Sequence, residues 1–591
     1  VPTPSKNTLR NKNPKTGGVL MVNKSVKTRQ KRKPKTDYEK QLKKVRDLMP
    51  IHVVEVELAV LDSQDWKMKR IGEHLRVIRN TVLGQLLKNY NQMVRTKEYK
   101  QTIKKYHSLC KLIEKTKESA NIQKLRKKKE ELNKKLEKLR NRHNVTFEYA
   151  RKYGEYLHDS KYTLPDTVTV LTVCEMAWNS IEGLLFRNAE KVHFYKKGDL
   201  ITFQGKQAER CIILKNNPDG TFYVSFNEMK FPLIVKKDDL YIQETLSNIA
   251  HYIKHGKEMD KQNIECHNMG LSLISAYRVC NNRIVRKLIR GKTRYYLQIT
   301  LEGKPVPRRK KDGSLRHTYG VGRLGGDVGT QSLAVVSEDN AILKNLADRS
   351  KNTFSYEHKI YLLQHYLDRS RRATNPQNYN EDGTIKKGKK EWVYSKRYQK
   401  ARTKIKELHR KAAESRKYAH NEDVNRLRAI GDEFIIEEMN IKGLQKKAKE
   451  TTINQKTGKF NRRKRFGKSI GRRSPGYFIK QTKYRFEASG GIVNEVNTWT
   501  FKASQYDHIL DDTNKKKLSK RWHELPDKTK IQRDLYSAFL LYCTDHNLIR
   551  PDKELCDTFF ERFLESHNHC VEEIKNNRRI VMNSGIKFDV A

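Results

Sequence analysis

The chain has 591 residues and carries 124 Lys and Arg against 68 Asp and Glu, a formal charge of +56, with 36% hydrophobic residues. That excess repels itself and requires a polyanionic partner, while the apolar content is enough for real cores and excludes a disordered polycation. No run is long and apolar enough to span a bilayer, no signal-peptide core stands at the N-terminus, and the eight cysteines include no CxxC pair. These features point to reduced thiols in a cytosolic protein rather than to a secreted disulfide framework.

The basic residues are spread along the whole chain, which suits a long nucleic acid held in an extended channel better than one small phosphate ligand. Residues 1–48, ending in "KTRQKRKPKTDYEKQLKKVRDL", read as a basic arm that orders on nucleic acid. "IHVVEVELAVL" (51–61) alternates like a strand, and 49–69 is taken as one strand of a later barrel. Residues 70–189 are helical in spacing, with Leu125, Leu132, Leu136 and Leu139 repeating like the seam of a helical hairpin. From 190 to 318 short strands separated by "KKGD", "NPDG" and "RGKT" turns predict a small β-barrel.

From Tyr319 onward the order of elements becomes informative. Three strands ("YGVGRLGGDVG", "SLAVVS", "AILKNLA") precede a basic helical pair (351–430), the strand "EFIIEEMN", a helix, the strand "GIVNEVN" and the helix "IQRDLYSAFLLYC". That is the βββ-α-β-α-β-α order of an RNase H-like domain with long insertions, so the fold class is multidomain α+β. Asp327 stands on the first of these strands, Glu437 ends the fourth and Asp534 begins the last helix. A lone carboxylate among apolar residues needs a compensating cation. Each acid alone reads as a turn, a cap or an exposed helix residue. Together they fall where such a sheet converges, and hard oxygen ligands with open sites suit Mg²⁺. The glycines around Asp327 read as room for close approach of a substrate backbone. Glu438 competes with Glu437, because neighbours on a strand face opposite ways and alternation alone does not choose.

"GGDVGTQSLAVVS", "FIIEEMNIKGL" and "QRDLYSAFLLYC" resemble the three RuvC motifs of the TnpB and type V CRISPR effector superfamily. The resemblance implies an RNA-guided DNA endonuclease, with guide RNA and target DNA as partners and no membrane. It implies one RuvC site in which Asp327, Glu437 and Asp534 bind two Mg²⁺ ions for phosphodiester hydrolysis, and it selects Glu437 over Glu438. It divides the chain into a first strand (49–69), a helical recognition insertion (70–189), a wedge-like barrel (190–318), RuvC parts at 319–350, 431–499 and 531–591, the helical pair (351–430) and a strand-loading segment (500–530). "NRRKRFGKSIGRR" suggests nucleic-acid contacts by Arg462, Arg463, Lys464, Arg465, Arg472 and Arg473. Members usually carry a Cys-rich zinc ribbon where "TFKASQYDH" stands here, so zinc is not expected. Cys543, His546, Cys556 and "HNHC" (567–570) are the residues that a cryptic site would use. A guide-directed binder that does not cut and an unguided RNase H-like transposase or nuclease are the competing readings.

Overall fold

The computed structural model describes residues 36–115, 119–187, 189–348, 352–446, 450–453, 455, 458, 466–514 and 519–588, and the chain forms two units, 1–48 and 49–591. In the first unit Asp37–Leu48 is a helix. Thr36 and Glu39 exchange backbone and side-chain hydrogen bonds across its first turn, at 3.2 and 3.0 Å, a reciprocal cap. The remainder of the expected basic arm lies outside the described residues.

In the second unit β1 (Ile51–Leu58) turns alternate residues inward, as its sequence pattern requires. The helix Asp62–Arg95 follows, burying Met68, Ile71, Leu75, Ile78, Val82 and Leu86 along one stripe. The helices Lys97–Lys115 and Ser119–Arg142 pack on each other, and their leucine seam closes at its base, where Leu136 and Leu139 are buried while Leu125 and Leu132 stay partly exposed. Strands β2 (Thr202–Gln204), β3 (Ile212–Asn216), β4 (Phe222–Phe226), β5 (Met229–Ile234), β6 (Arg278–Ile289) and β7 (Lys292–Glu302) join β1 in a sheet ordered β2-β6-β7-β1-β5-β4-β3. β1 runs antiparallel to β7 along its full length, from Ile51 opposite Glu302 to Leu58 opposite Tyr295. The sheet curls back on itself: the buried Asn282 amide of β6 donates to the Ile212 carbonyl of β3, the far edge strand, at 3.1 Å.

A second sheet holds β8 (Arg323–Val328), β9 (Ser332–Val336), β10 (Ala341–Asn345), β11 (Glu433–Glu437) and β12 (Ile492–Val496), ordered β10-β9-β8-β11-β12. β8 to β10 form an antiparallel meander, and β11 lies parallel to both β8 and β12. On one face Leu324, Phe434 and Ile436 pack with Phe478 and Phe486 of the helix Pro475–Ala488 and with Val424 and Leu427 of the helix Lys396–Ile430. On the other, Ala334, Val336 and Ile435 pack with Leu535, Ala538 and Phe539 of the helix Arg533–Tyr542. Among the described residues no helix is long and apolar enough to cross a membrane.

Candidate active site

The two glycines before Asp327 decide where the covering layers sit. A Cβ on Gly325 would lie 2.1 Å from the Ala538 carbonyl oxygen and 2.2 Å from the Tyr542 nitrogen, so the helix Arg533–Tyr542 rests directly on the bare backbone of β8. On the other face a Cβ on Gly326 would lie 2.4 Å from the Phe434 ring. The space these glycines leave is therefore filled by the protein's own helix and by Phe434, which corrects the expectation that they open a path for substrate.

This packing aligns the acids. Asp327 shares the face of Gly325 because alternate residues of a strand do, and Asp534 stands one turn before Ala538 on the helix that lies there. On β11, Ile435 is the register partner of Gly325 and packs against the same helix, so Glu437, two residues on, stands beside Asp327 on that face. Glu438 turns the other way and is exposed. Asp534 is buried at 8% exposure, while Asp327 and Glu437 keep partial access to solvent.

The three carboxylates feel one another. Burial first, and then the charges of Asp534 and Glu437, hold the proton affinity of Asp327 well above the ordinary aspartate range, against a smaller opposing pull from Arg533 and Arg521. Asp534 is raised by burial and drawn back by the same two arginines and by the Gln532 side chain. Glu437 is raised by burial and accepts one hydrogen bond, from the Ala503 backbone N–H at 3.3 Å. Asp534 also lies in the first turn of its helix, where the backbone dipole favours negative charge and the Gln532 side chain caps the Leu535 N–H at 2.8 Å.

A native aspartate with a raised pKa holds its proton after the unfolded chain has released it, so the native state binds more protons and stability falls as pH rises. Asp327→Asn removes that penalty. It is expected to raise the melting temperature of the metal-free protein at neutrality by about 2 °C, with the gain vanishing near pH 4, where an unfolded aspartate ionises. A thermal scan across pH measures it, and a variant less stable than the parent at neutrality would refute the like-charge account.

Among the described residues no three His, Cys, Asp or Glu side chains close around a single point as a metal cage. Magnesium does not need one, since it is commonly held by one or two carboxylates with water and substrate phosphate completing its shell. The donor set fits: hard oxygens, mutually repelling and partly open to solvent, whose surplus negative charge a divalent cation would relieve.

Arg521 and Arg533 also belong to this site, although no sequence motif singles them out; the one local signal is that Arg533 adjoins Asp534 in "QRD". Arg533 Nε lies 4.0 Å from Asp534 Oδ1. Of the basic run after the second motif, Arg462, Arg463, Lys464 and Arg465 lie outside the described residues. Arg472 pairs with Glu357, its Nε donating to Oε1 at 2.9 Å, and Arg473 donates to the Leu346 carbonyl at 2.8 Å from a largely buried position. Segment 500–530 forms two small hairpins, β13 (Tyr506–Asp507) with β14 (Asp512–Thr513) and β15 (Trp522–Glu524) with β16 (Lys530–Gln532). Here His523 stacks on Tyr536 at 4.8 Å and lies 3.0 Å from Asp507, while the Tyr536 hydroxyl meets His508 Nδ1 at 2.6 Å. Cys543, Cys556 and Cys570 sit in the hydrophobic core beneath, where burial pushes the Cys570 thiol up to about 11 and that of Cys543 further.

No protein-family model matches the chain, and no curated protein matches it. Solved structures similar to it include a Cas12f1–sgRNA–target DNA complex, at 10% identity and a TM-score of 0.36, covering 83% of this chain and 98% of that one. A Cas12i1 R-loop complex before target DNA cleavage is similar at 10% identity and a TM-score of 0.24, covering 85% of this chain and 65% of that one. The same complex after cleavage matches at 9% identity and a TM-score of 0.25, covering 91% of this chain and 65% of the other, so this chain spans just under two thirds of the Cas12i1 length.

Proposed function

We propose that this chain is an RNA-guided DNA endonuclease with a single RuvC-like site in an RNase H-like domain. The observation that carries the reading is the gathering of Asp327, Glu437 and Asp534 on one face of the second sheet, each with raised proton affinity. The order β10-β9-β8-β11-β12, with Asp327 on β8, Glu437 on the adjacent β11 and Asp534 on the helix across them, supports the RNase H-like assignment. The curled seven-stranded sheet supports the wedge-like barrel, and the +56 charge supports a long polyanion as resident partner.

Asp327, Glu437 and Asp534 would hold divalent cations, Mg²⁺ by donor chemistry. Bound there, such ions supply Lewis-acid polarisation of a phosphodiester and a lowered pKa for an attacking water. The chain's own residues set the stage. The three carboxylates would hold the ions, the Ala503 N–H fixes one oxygen of Glu437, and Arg521 and Arg533, which already draw on Asp327, would offset negative charge brought in by a substrate phosphate.

The test is to express the chain with its native flanking DNA, sequence the RNA that co-purifies, and assay DNA matching that RNA. A defined RNA and cleavage restricted to matching DNA are expected, with EDTA abolishing cutting but not binding. RNA-free protein that stays monodisperse at low salt and cuts DNA unaided would refute the guided reading.

A further inference from the structure

The sequence "TWTFKAS" (498–504) follows β12 as one helical turn, Thr498–Phe501, that ends at Lys502 and brings the Ala503 N–H to the Glu437 carboxylate. The turn is pinned along its length. Asn497 caps it by accepting from the Trp499 N–H at 2.9 Å, the Thr498 hydroxyl donates to the Glu438 carbonyl at 2.8 Å, and the Ala503 N–H reaches Glu437 Oε1 at 3.3 Å. Phe501 and Ala503 anchor it from below, 2% and 1% exposed. In the middle of this fixed turn Trp499 is 87% exposed.

Slack in the chain does not account for that exposure, because the residues on both sides are capped, hydrogen-bonded or buried. Nor does packing, because Phe501 already supplies the anchor. A large flat indole held in water is unfavourable unless something covers it, and tryptophan contributes most where one face is apolar and the surroundings are wet. The turn that carries the indole is bonded at Thr498 to the Glu438 carbonyl and at Ala503 to the Glu437 carboxylate, so it stands at the edge of the carboxylate site to which the proposed function brings a phosphodiester strand. A nucleobase next to a phosphate at that site offers a flat π-face, which an aromatic side chain recognises in every sequence.

We infer that Trp499 is the stacking platform for an unpaired nucleobase of the DNA strand being cut, a positioning residue that fixes the strand while the carboxylates act on a neighbouring phosphate. The inference rests on the nuclease reading for its substrate, and it adds a base-binding subsite that the carboxylates alone do not provide. Because β12 ends beside Glu437, with Glu437 opposite Val496, the platform and the carboxylate are set by one sheet edge and move together.

The experiment uses the full chain carrying Asp327→Ala, so that the strand stays intact, and follows tryptophan fluorescence during titration with a thymidine decanucleotide or with an abasic strand of the same length. Repeating both titrations in a Trp499→Phe background isolates the Trp499 signal from that of the other four tryptophans. The Trp499 component is expected to be quenched by thymidines and left unchanged by the abasic strand, which brings the same phosphates without bases. Equal responses to both strands, or none, overturn the inference. In active protein, Trp499→Ala is expected to raise KM for single-stranded DNA about tenfold with kcat little changed, and Trp499→Tyr to restore it. An unchanged KM overturns it as well. The two readings fail separately. Asp327→Ala protein that still cuts, alongside base-dependent quenching, removes the assignment of cutting to the three carboxylates and leaves the stacking site. A cleavage-dead Asp327→Ala without quenching does the reverse.

Discussion

Alanine at Asp327, Glu437 or Asp534 is expected to reduce DNA cleavage by about a thousandfold or more while guide and target binding persist. Several kcal/mol of charge stabilisation at the reacting phosphate is at stake, and each 1.36 kcal/mol is about a factor of ten in rate. On the proposed function, binding would rest instead on many phosphate contacts distributed over a chain of +56 charge, so losing one carboxylate should barely alter it. The informative pair is Glu437→Ala beside Glu438→Ala, in one cleavage assay with target binding measured in parallel. Glu437 faces the helix Arg533–Tyr542 with Ile435, whereas Glu438 is exposed on the other side, so the second change should leave the rate within a few-fold. Glu437→Gln sharpens the comparison, because it keeps an oxygen for the Ala503 N–H and removes the charge. If the glutamine variant cuts normally, the carboxylate holds the turn and does no chemistry. If Glu438→Ala is the inactive one, the assigned register of the second motif is wrong by one residue.

Gly325→Ala is expected to lower cleavage on the order of a hundredfold, although residue 325 has no functional group. The new methyl would stand 2.1 Å from the Ala538 oxygen and 2.2 Å from the Tyr542 nitrogen, and both are helix backbone atoms that no rotamer change can move. The helix must lift from β8, and Asp534 lifts with it. Overpacking of this kind costs about 1–3 kcal/mol, and a misplacement of about 1 Å at reacting groups costs on the order of a hundredfold in rate. The measurement is a melting temperature together with single-turnover cleavage. Gly329→Ala is the control on the same motif, since its added methyl would meet the Ser332 hydroxyl at 3.1 Å, which can turn aside, and the Ser332 carbonyl oxygen at 3.3 Å, over 1 Å farther than the backbone atoms facing Gly325. Equal stability and equal cleavage for both variants would show that the helix does not depend on the bare backbone of β8.

These two sets of variants separate what a sequence can state from what it cannot. The strands of the second sheet and the three acids were legible because their signals are local: apolar runs bounded by glycine or polar turns, and motifs whose spacing survives long insertions. The division of labour between Glu437 and Glu438 was not legible from alternation, which says only that the two face opposite ways. Which face matters depends on a helix about 100 residues later lying against Gly325. The same holds for the glycines, whose lack of a side chain is visible in sequence but whose neighbours are not.

The charge that demands a polyanion, the order of strands and helices from Tyr319 onward, and the three carboxylates could all be read from the chain as written, because composition, periodicity and motif spacing are properties of the sequence alone. The pairing of β1 with β7, more than 230 residues away with Ile51 opposite Glu302, emerged only on folding. So did the bonds of Arg472 and Arg473 to Glu357 and to the Leu346 carbonyl, the place of Arg521 and Arg533 near the acids, and the exposure of Trp499 in the turn whose Ala503 N–H holds Glu437. Those facts come from contacts between segments far apart in the chain. Such contacts are set by which surfaces bury one another, and no local pattern of residues encodes that.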